Sequence, residues 1–363
     1  MLYRGFKYKE YPSIDKNIGI LFIAYFILQI IIAALSLNPQ ISFREVLGEI
    51  HRCFPLFFAM LYIKTEKHLK YILIAFISSV LVNNAYAEIQ CFFIHVERAF
   101  AFAHTPTFYA SFLIMQIPVL IWITTLDFMP SWSKKLNMLA LITSLQMLIA
   151  TLTRGAWIAL LITGIAFIIL DERWRRKGIK YLTIIFTVSF VIVALTPNLQ
   201  SRAITLWNPN YTSNSERILM WQSSIAIIND YPIHGIGQKL FQKMYNTEYI
   251  SPNAKERPKD NNYETGHTHP HNNIFNAATE GGMIGLFAFV MLHGYFFQRL
   301  YKLYKKDRYQ LKLSCGLVGF LILLALQLEG LTDTNMNQVP IMREYWFLIG
   351  MLLVSGKIIN KSC

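Results

Sequence analysis

The stretch IGILFIAYFILQIIIAALSL, residues 18–37, contains twenty consecutive residues without a charged side chain. An α-helix rises about 1.5 Å per residue, so a stretch of this length can cross a hydrocarbon core about 30 Å thick. The rest of the chain is similar, since 54% of its 363 residues are hydrophobic and only 15% are charged. Soluble proteins average about 25% charged residues. The sequence therefore predicts a membrane protein with several spans.

Further apolar blocks have lengths near that of a membrane span. They are Val46–Ile63, Leu69–Ile89, Pro106–Leu126, Leu136–Thr153, Gly155–Leu170, Tyr181–Thr196, Asn272–Phe297, Leu311–Leu331 and Ile341–Ser355. The predicted fold is an all-α polytopic integral membrane protein with about ten, and up to twelve, transmembrane helices. We divide it into N-terminal transmembrane helices (1–196), one large hydrophilic loop with short helices (197–270) and C-terminal transmembrane helices (271–363). Within the loop, Asn214-Ser215 is typical of a helix N-cap.

Basic residues concentrate on alternate loops. Residues 173–180 hold five of them and residues 299–312 hold six. Cytoplasmic loops of membrane proteins carry an excess of Lys and Arg, so this pattern predicts that both termini are cytoplasmic. The 197–270 loop then lies on the opposite, periplasmic face. Topology alone accounts for the formal net charge of +13, and no nucleic-acid partner is expected.

Three histidines alternate in HTHPHNN, residues 267–273, where the loop meets an apolar block. Alternation would place His267, His269 and His271 on one side of an extended chain, as in a metal site. No neighbouring carboxylate or cysteine completes a ligand set, so no metal is predicted. A hydrogen-bonded structural cluster is a second interpretation. The third is a general base: His271 would occupy the first turn of helix Asn272–Phe297, where the positive end of the helix dipole favours a neutral imidazole.

Two arginines adjoin apolar sequence on the predicted periplasmic face: Arg154 in TLTRGAW and Arg217 in SERILMW. Arg154 could extend to lipid headgroups, and Arg217 could pair with Glu216 or with solvent. Alternatively, both bind an anion, because the planar guanidinium matches a phosphate group. Both arginines share the predicted face with His271, which favours an anion site there.

Taken in order, these motifs resemble the O-antigen ligase and O-antigen polymerase superfamily. The resemblance covers roughly Ala101 to Arg343, and its specific part runs from Arg154 to Gly285. The motifs are TRGAW (153–157), NSERILMW (214–221), PIHGIG (232–237), HPHNN (269–273) and EGGMIG (280–285).

The resemblance implies a glycosyltransferase of the bacterial inner membrane that acts in lipopolysaccharide biosynthesis. Its donor would be a glycan on undecaprenyl diphosphate, and its acceptor a sugar hydroxyl of lipid A–core. The family's catalytic histidine maps onto His271, and its two arginines, which would hold the diphosphate, map onto Arg154 and Arg217. The implied reaction is an inverting transfer that needs neither metal nor cofactor. The supporting positions are His267, His269, Asn272 and Asp333, the last in a GLTD stretch that is similar to the family's late loop.

Three alternatives remain open from the sequence. An O-antigen polymerase would use a similar donor with a second lipid-linked glycan as acceptor, and a protein oligosaccharyltransferase would modify a polypeptide. A transporter is the alternative from another class, suggested by the isolated intramembrane residues Glu49 and Arg52. Family ligases usually have about twelve spans, so the count of ten leaves the lipid-facing architecture open.

Overall fold

The computed structural model describes residues 15–205, 208, 211–255, 257–258, 262 and 267–362. Predictions that concern residues 1–14, and the remaining parts of the large loop, lie outside these residues. The described residues form helices and no strand. The α-helices are α1 (Lys16–Ala34), α2 (Pro39–Tyr62), α3 (Glu66–Phe92), α4 (Pro106–Thr124), α5 (Ser131–Ala150), α6 (Arg154–Leu170), α7 (Arg175–Leu195), α8 (Pro197–Ile204), α9 (Thr212–Asp230), α10 (Phe241–Met244), α11 (Asn273–Asp307), α12 (Cys315–Glu329) and α13 (Val339–Ser362).

Each of the ten predicted apolar blocks coincides with one of these helices. Five helices are long and apolar enough to cross a membrane: α1, α3, α4, α11 and α13. The apolar helices α6 and α12 are shorter, with 17 and 15 residues. The described part of the chain is therefore helical without strands, and the protein is a multi-pass membrane protein. The count of ten to twelve spans stays a prediction.

Apolar side chains on α1 face outward as well as inward. Ile23 and Ile27 are 63% and 52% exposed, whereas Phe22 and Tyr25 on the same helix are buried. An amphipathic helix of a soluble protein would place polar residues on the outer face. Lipid chains are the environment in which exposed isoleucines are favourable, so the packing agrees with the composition.

The core of the bundle is organised around α13. Trp346 of this helix is fully buried, with its ring centroid 5.3 Å from that of Phe22 in α1 and 5.1 Å from that of Phe296 in α11. Gly350 lets α13 approach α2 closely, because a Cβ there would lie 2.5 Å from the Leu56 carbonyl oxygen. These contacts hold α1, α2, α11 and α13 together.

Helix α11 is broken at Gly282, whose φ of 59° and ψ of −153° are not helical. Residues 232–237 of the large loop pack into this break. Ile236 and Gly237 donate backbone hydrogen bonds to the carbonyls of Thr279 and Glu280, at 3.0 and 2.9 Å. Met283 and Ile284, just beyond the break, donate to the carbonyls of residues 232 and 233. The PIHGIG and EGGMIG motifs are thus two halves of one backbone junction, which fixes the outer segment of α11.

Candidate functional site

His271 lies immediately before the N-cap of α11. Asn272 is the N-cap, and its side-chain oxygen accepts from the backbone N–H groups of Ile274 and Phe275, at 2.8 and 3.1 Å. His271 itself has a φ of 49°. The prediction that His271 belongs to the first helical turn is therefore wrong. The asparagine takes the capping role and leaves the histidine outside the helix.

Asp333 is the partner of His271. Its Oδ1 lies 3.0 Å from His271 Nδ1, and only 3% of Asp333 is exposed. Burial alone would raise the pKa of Asp333, but the hydrogen bond and charge of His271 lower it well below its usual range. The carboxylate therefore accepts and Nδ1–H donates, which leaves Nε2 of His271 as the nitrogen that can take up a proton.

The other two histidines support this pair without joining it. His269 lies edge-on to His271, with ring centroids 4.3 Å apart. Burial, together with the charge of His271, lowers the pKa of His269 to about 4, so this ring is neutral at physiological pH. His267 is farther away, with its Nε2 3.8 Å from Glu216 Oε2.

Ligand atoms of His269, His271 and Asp333 all lie within 4.8 Å of one another, close enough for a metal ion. The sequence argument that no carboxylate completes a metal-ligand set is wrong. Asp333, which lies 62 residues after His271 in the sequence, is beside it in the structure. A metal would compete with the proton that joins His271 to Asp333. The predicted absence of a metal therefore stays a prediction and can be tested.

Arg154, at the first position of α6, points into the protein. Only 9% of it is exposed, and its guanidinium donates to Thr205 Oγ1 and Asn214 Oδ1, each at 2.8 Å. It also lies over the Tyr211 ring, 5.3 Å from the centroid. The interpretation that Arg154 extends to lipid headgroups is therefore not what the structure shows.

Asn214 is not the N-cap of helix α9. Helix α9 begins at Thr212, with Tyr211 as its N-cap, and not at the predicted Asn214-Ser215. The Asn214 amide instead donates to the Thr205 carbonyl at 2.9 Å while its oxygen holds Arg154. The Asn214 side chain, predicted from the sequence to cap the helix, instead positions Arg154.

Arg217 projects from the first turns of α9. Among the described residues, none forms a hydrogen bond or ion pair with its guanidinium. Burial lowers the pKa of Arg217, and the charge of Asp333 opposes this effect. The alternative that Arg217 pairs with Glu216 is not seen, because Glu216 faces His267 and accepts from the Lys255 backbone N–H at 2.8 Å.

Both arginines line one cavity of about 290 Å³. Its other charged or acidic lining residues are Arg98, Glu329 and Asp333. Through Asp333, the cavity adjoins His271. The structure therefore brings together the three residues singled out in the sequence, although 117 positions separate Arg154 from His271.

Arg98 and Glu329 were missed in the sequence. Arg98 donates to the Thr151 carbonyl at 2.9 Å and so braces the segment just before Arg154. Glu329 is the last residue of α12 and is 1% exposed. A signal existed for both: each is a charged residue beside an apolar block, at a loop predicted to lie on the periplasmic face.

Contacts with α9 also position the histidine segment. Trp221 Nε1 donates to the Pro270 carbonyl at 3.0 Å, and its ring stacks on Phe275 of α11. The helix that bears Arg217 is thereby fixed to the residue just before His271. Fold and site together define a class: a multi-pass helical membrane protein in which a half-buried histidine pairs with a buried aspartate beside an arginine-lined cavity.

Comparison with known proteins narrows this class. A protein-family model described as O-antigen ligase matches residues 139–290. A curated O-antigen ligase of Salmonella typhimurium is 26% identical over 154 residues, which are 40% of this chain and 35% of that protein. The match thus spans about a third of the relative's length. Residues 139–290 are thus similar to the O-antigen ligase family, which confirms the resemblance predicted from the motifs.

Proposed function

We propose that this protein is a glycosyltransferase of the O-antigen ligase type. It would transfer a glycan from undecaprenyl diphosphate to a sugar hydroxyl of lipid A–core, at the periplasmic face of the bacterial inner membrane. The observation that carries the proposal is the placement of the His271–Asp333 pair beside the cavity lined by Arg154 and Arg217. The matching region of the chain contains both arginines and the histidine.

In this proposal His271 is the general base. Asp333 holds Nδ1–H, so Nε2 accepts the proton of the acceptor hydroxyl as that oxygen attacks the anomeric carbon. The bond from the anomeric carbon to the diphosphate oxygen breaks, and its electron pair leaves with the diphosphate. Attack from the face opposite the leaving group inverts the anomeric centre. Proton transfer of this type contributes about 10²–10⁴-fold to the rate.

Arg154 and Arg217 would bind the diphosphate in different ways. Arg154 is already fixed by Thr205 and Asn214, so its fork is preorganised. Arg217 carries a partly buried charge for which a bound anion would compensate. Charge-assisted hydrogen bonds contribute about 1.5–3 kcal/mol each, and these would strengthen as negative charge develops on the leaving group.

The transporter alternative rested on Glu49 and Arg52 as isolated intramembrane residues. The structure shows both with partners, since Arg52 forms an ion pair with Glu45, and Glu49 accepts from the Tyr25 hydroxyl. The expectation that they are isolated is wrong. Paired residues of this kind stabilise helix contacts and no longer favour a transport pathway over a structural role.

The decisive experiment is transfer by purified protein with a defined undecaprenyl-diphosphate-linked donor. Lipid A–core, an undecaprenyl-linked glycan and a peptide are offered separately as acceptors, with EDTA and with added Zn²⁺. Transfer to lipid A–core that is unaffected by EDTA is the expected result. Exclusive use of the lipid-linked glycan would indicate a polymerase, and exclusive use of the peptide an oligosaccharyltransferase. Loss of activity in EDTA that Zn²⁺ restores would replace the base mechanism with a metal site at His269, His271 and Asp333.

A further inference from the structure

Glu329 is a buried acidic residue in a cavity otherwise suited to anions. It lines the same cavity as Arg154 and Arg217, at the C-terminal end of α12. Its Oε2 accepts two hydrogen bonds, from Ser111 Oγ at 2.9 Å and from the Asn335 amide. Its Oε1 is buried and has no hydrogen-bond partner among the described residues. Resting on the proposed function, we infer that Glu329 is protonated and donates a hydrogen bond from Oε1 to the diphosphate of the bound donor.

The protonation state follows from the surroundings. An ionised Glu329 would leave a buried charge on an unpartnered oxygen, which is strongly unfavourable. Asp333 is already ionised through His271, and its backbone N–H bonds to the Glu329 carbonyl, so a second carboxylate would add like-charge repulsion. Both donors to Glu329 converge on Oε2, which marks that atom as the carbonyl-type oxygen. The proton then resides on Oε1.

A protonated carboxyl has a clear use beside a diphosphate. A carboxylate would repel the anion and offset the attraction of the arginines, whereas the neutral form supplies a donor. The hydrogen bond strengthens as charge develops on the leaving diphosphate, without transfer of the proton. The other charged groups that line the cavity are Arg98, Arg154, Arg217 and Asp333. The histidines reach it only through Asp333.

The test is the pH dependence of donor use in E329Q, whose amide can donate a hydrogen bond but cannot ionise. Wild-type transfer is expected to fall at least tenfold between about pH 7 and 9.5 as Glu329 loses its proton. E329Q is expected to lose this dependence, so its rate at pH 9.5 should stay within threefold of its own rate at pH 7. The matched control is E344Q: Glu344 is also bonded to an amide, that of Gln116 at 2.8 Å, but does not line the cavity. E344Q should retain the wild-type pH profile.

Binding of undecaprenyl diphosphate to the wild type gives a second readout that does not depend on transfer or on a variant. Affinity should decrease as pH rises, although the ligand itself becomes more negative. An alkaline fall that persists in E329Q would assign it to another group and overturn the inference. Affinity that holds or increases at high pH would also overturn it. A wild type that binds undecaprenyl diphosphate with this pH dependence but transfers glycan at no pH would contradict the proposed function and support the role of Glu329.

Discussion

His271 gains its chemistry from a residue 62 positions away. A histidine alone at a helix start has two equivalent ways to carry its proton, and the Asp333 carboxylate selects one of them. The selected form presents Nε2 to the acceptor. The role of each side chain is therefore a property of the pair.

Replacing either member of the pair should remove most of the activity. We expect H271A to lose at least about 100-fold in transfer rate, since it lacks the base. D333N should lose activity with little change in donor binding, because an amide holds the tautomer less firmly. The measurement is initial transfer rate at saturating donor. H234A is the control, since the one hydrogen bond of the His234 ring among the described residues goes to the adjacent Gly235 carbonyl; its rate should be unchanged. Normal activity in H271A would end the general-base proposal.

The two arginines should respond differently to lysine. R217K keeps a charge but loses the planar fork, so we expect roughly a tenfold higher KM for donor and unchanged stability. R154K also loses the hydrogen bonds to Thr205 and Asn214, so the KM for donor should increase and Tm should decrease. Equal effects of R154K and R217K on Tm would show that those bonds do not hold the cavity.

His269 should make the protein sensitive to acid. Its pKa is about 4 in the folded protein against an ordinary value of 6.5, because burial disfavours the charged ring. A folded pKa below the unfolded one means that the unfolded chain binds more protons. Stability is therefore complete above about pH 6.5 and is lost as pH falls toward 4. Asp333 does not contribute in this window, because its lowered pKa acts below its ordinary value of 3.8.

The measurement is Tm between pH 7.5 and 5 for the wild type and for H269Q. We expect Tm of the wild type to decrease by several degrees, and the decrease to be smaller in H269Q. The same slope in both proteins would assign the acid sensitivity to another group.

At the scale of elements, the broken helix α11 links the large loop to the candidate site. The loop packs against its break at Gly282, and His271 lies just before its N-terminus. Its outer segment is held by residues 232–237 through backbone hydrogen bonds that no side chain could replace. Gly235 and Gly282 approach so closely that a Cβ on Gly235 would lie 2.5 Å from the Gly282 nitrogen. Gly235 also has a φ of +67°, which other residues rarely adopt.

G235A should therefore prevent correct folding or reduce stability by several kcal/mol, from steric overlap together with backbone strain. The control is G294A in the same helix, where nothing lies within 4 Å of the added Cβ. Since Ala favours a helix over Gly by about 0.5–1 kcal/mol, G294A should be neutral or slightly stabilising. The readout is Tm in detergent together with the yield of monodisperse protein. A fully stable G235A would show that the junction tolerates rearrangement.

At the scale of the whole molecule, the main prediction concerns which side of the membrane each loop faces. The distribution of Lys and Arg places the segment near residue 130 in the cytoplasm and the segment near residue 250 in the periplasm. Reporter enzymes fused at those two positions should be active on opposite sides of the membrane. Activity of both fusions on one side would contradict the ten-span topology and the periplasmic site.

Much of the architecture was predictable because apolar length is a local property of the chain. The ten blocks coincide with helices, and the arginines and histidine were found because charges beside apolar sequence are unfavourable unless they are used. The Asp333 partnership, the paired Arg52 and the cap at Tyr211 were not predictable, because each depends on residues brought together by packing. Glu329 carried a signal in the sequence, as a charged residue at the end of an apolar block, but its position in the cavity depends on packing.

The junction between residues 232–237 and the break in α11 also limits how this protein can be recombined. A chimera that takes only the large loop from a relative would pack the relative's residues against the native Gly282. The backbone hydrogen bonds between residues 232–237 and the break in α11 would then no longer match. Exchange should succeed only when residues 232–237 and 279–285 travel together. A difference in substrate choice between relatives would then be transferred only with both segments, one in the large loop and one in α11.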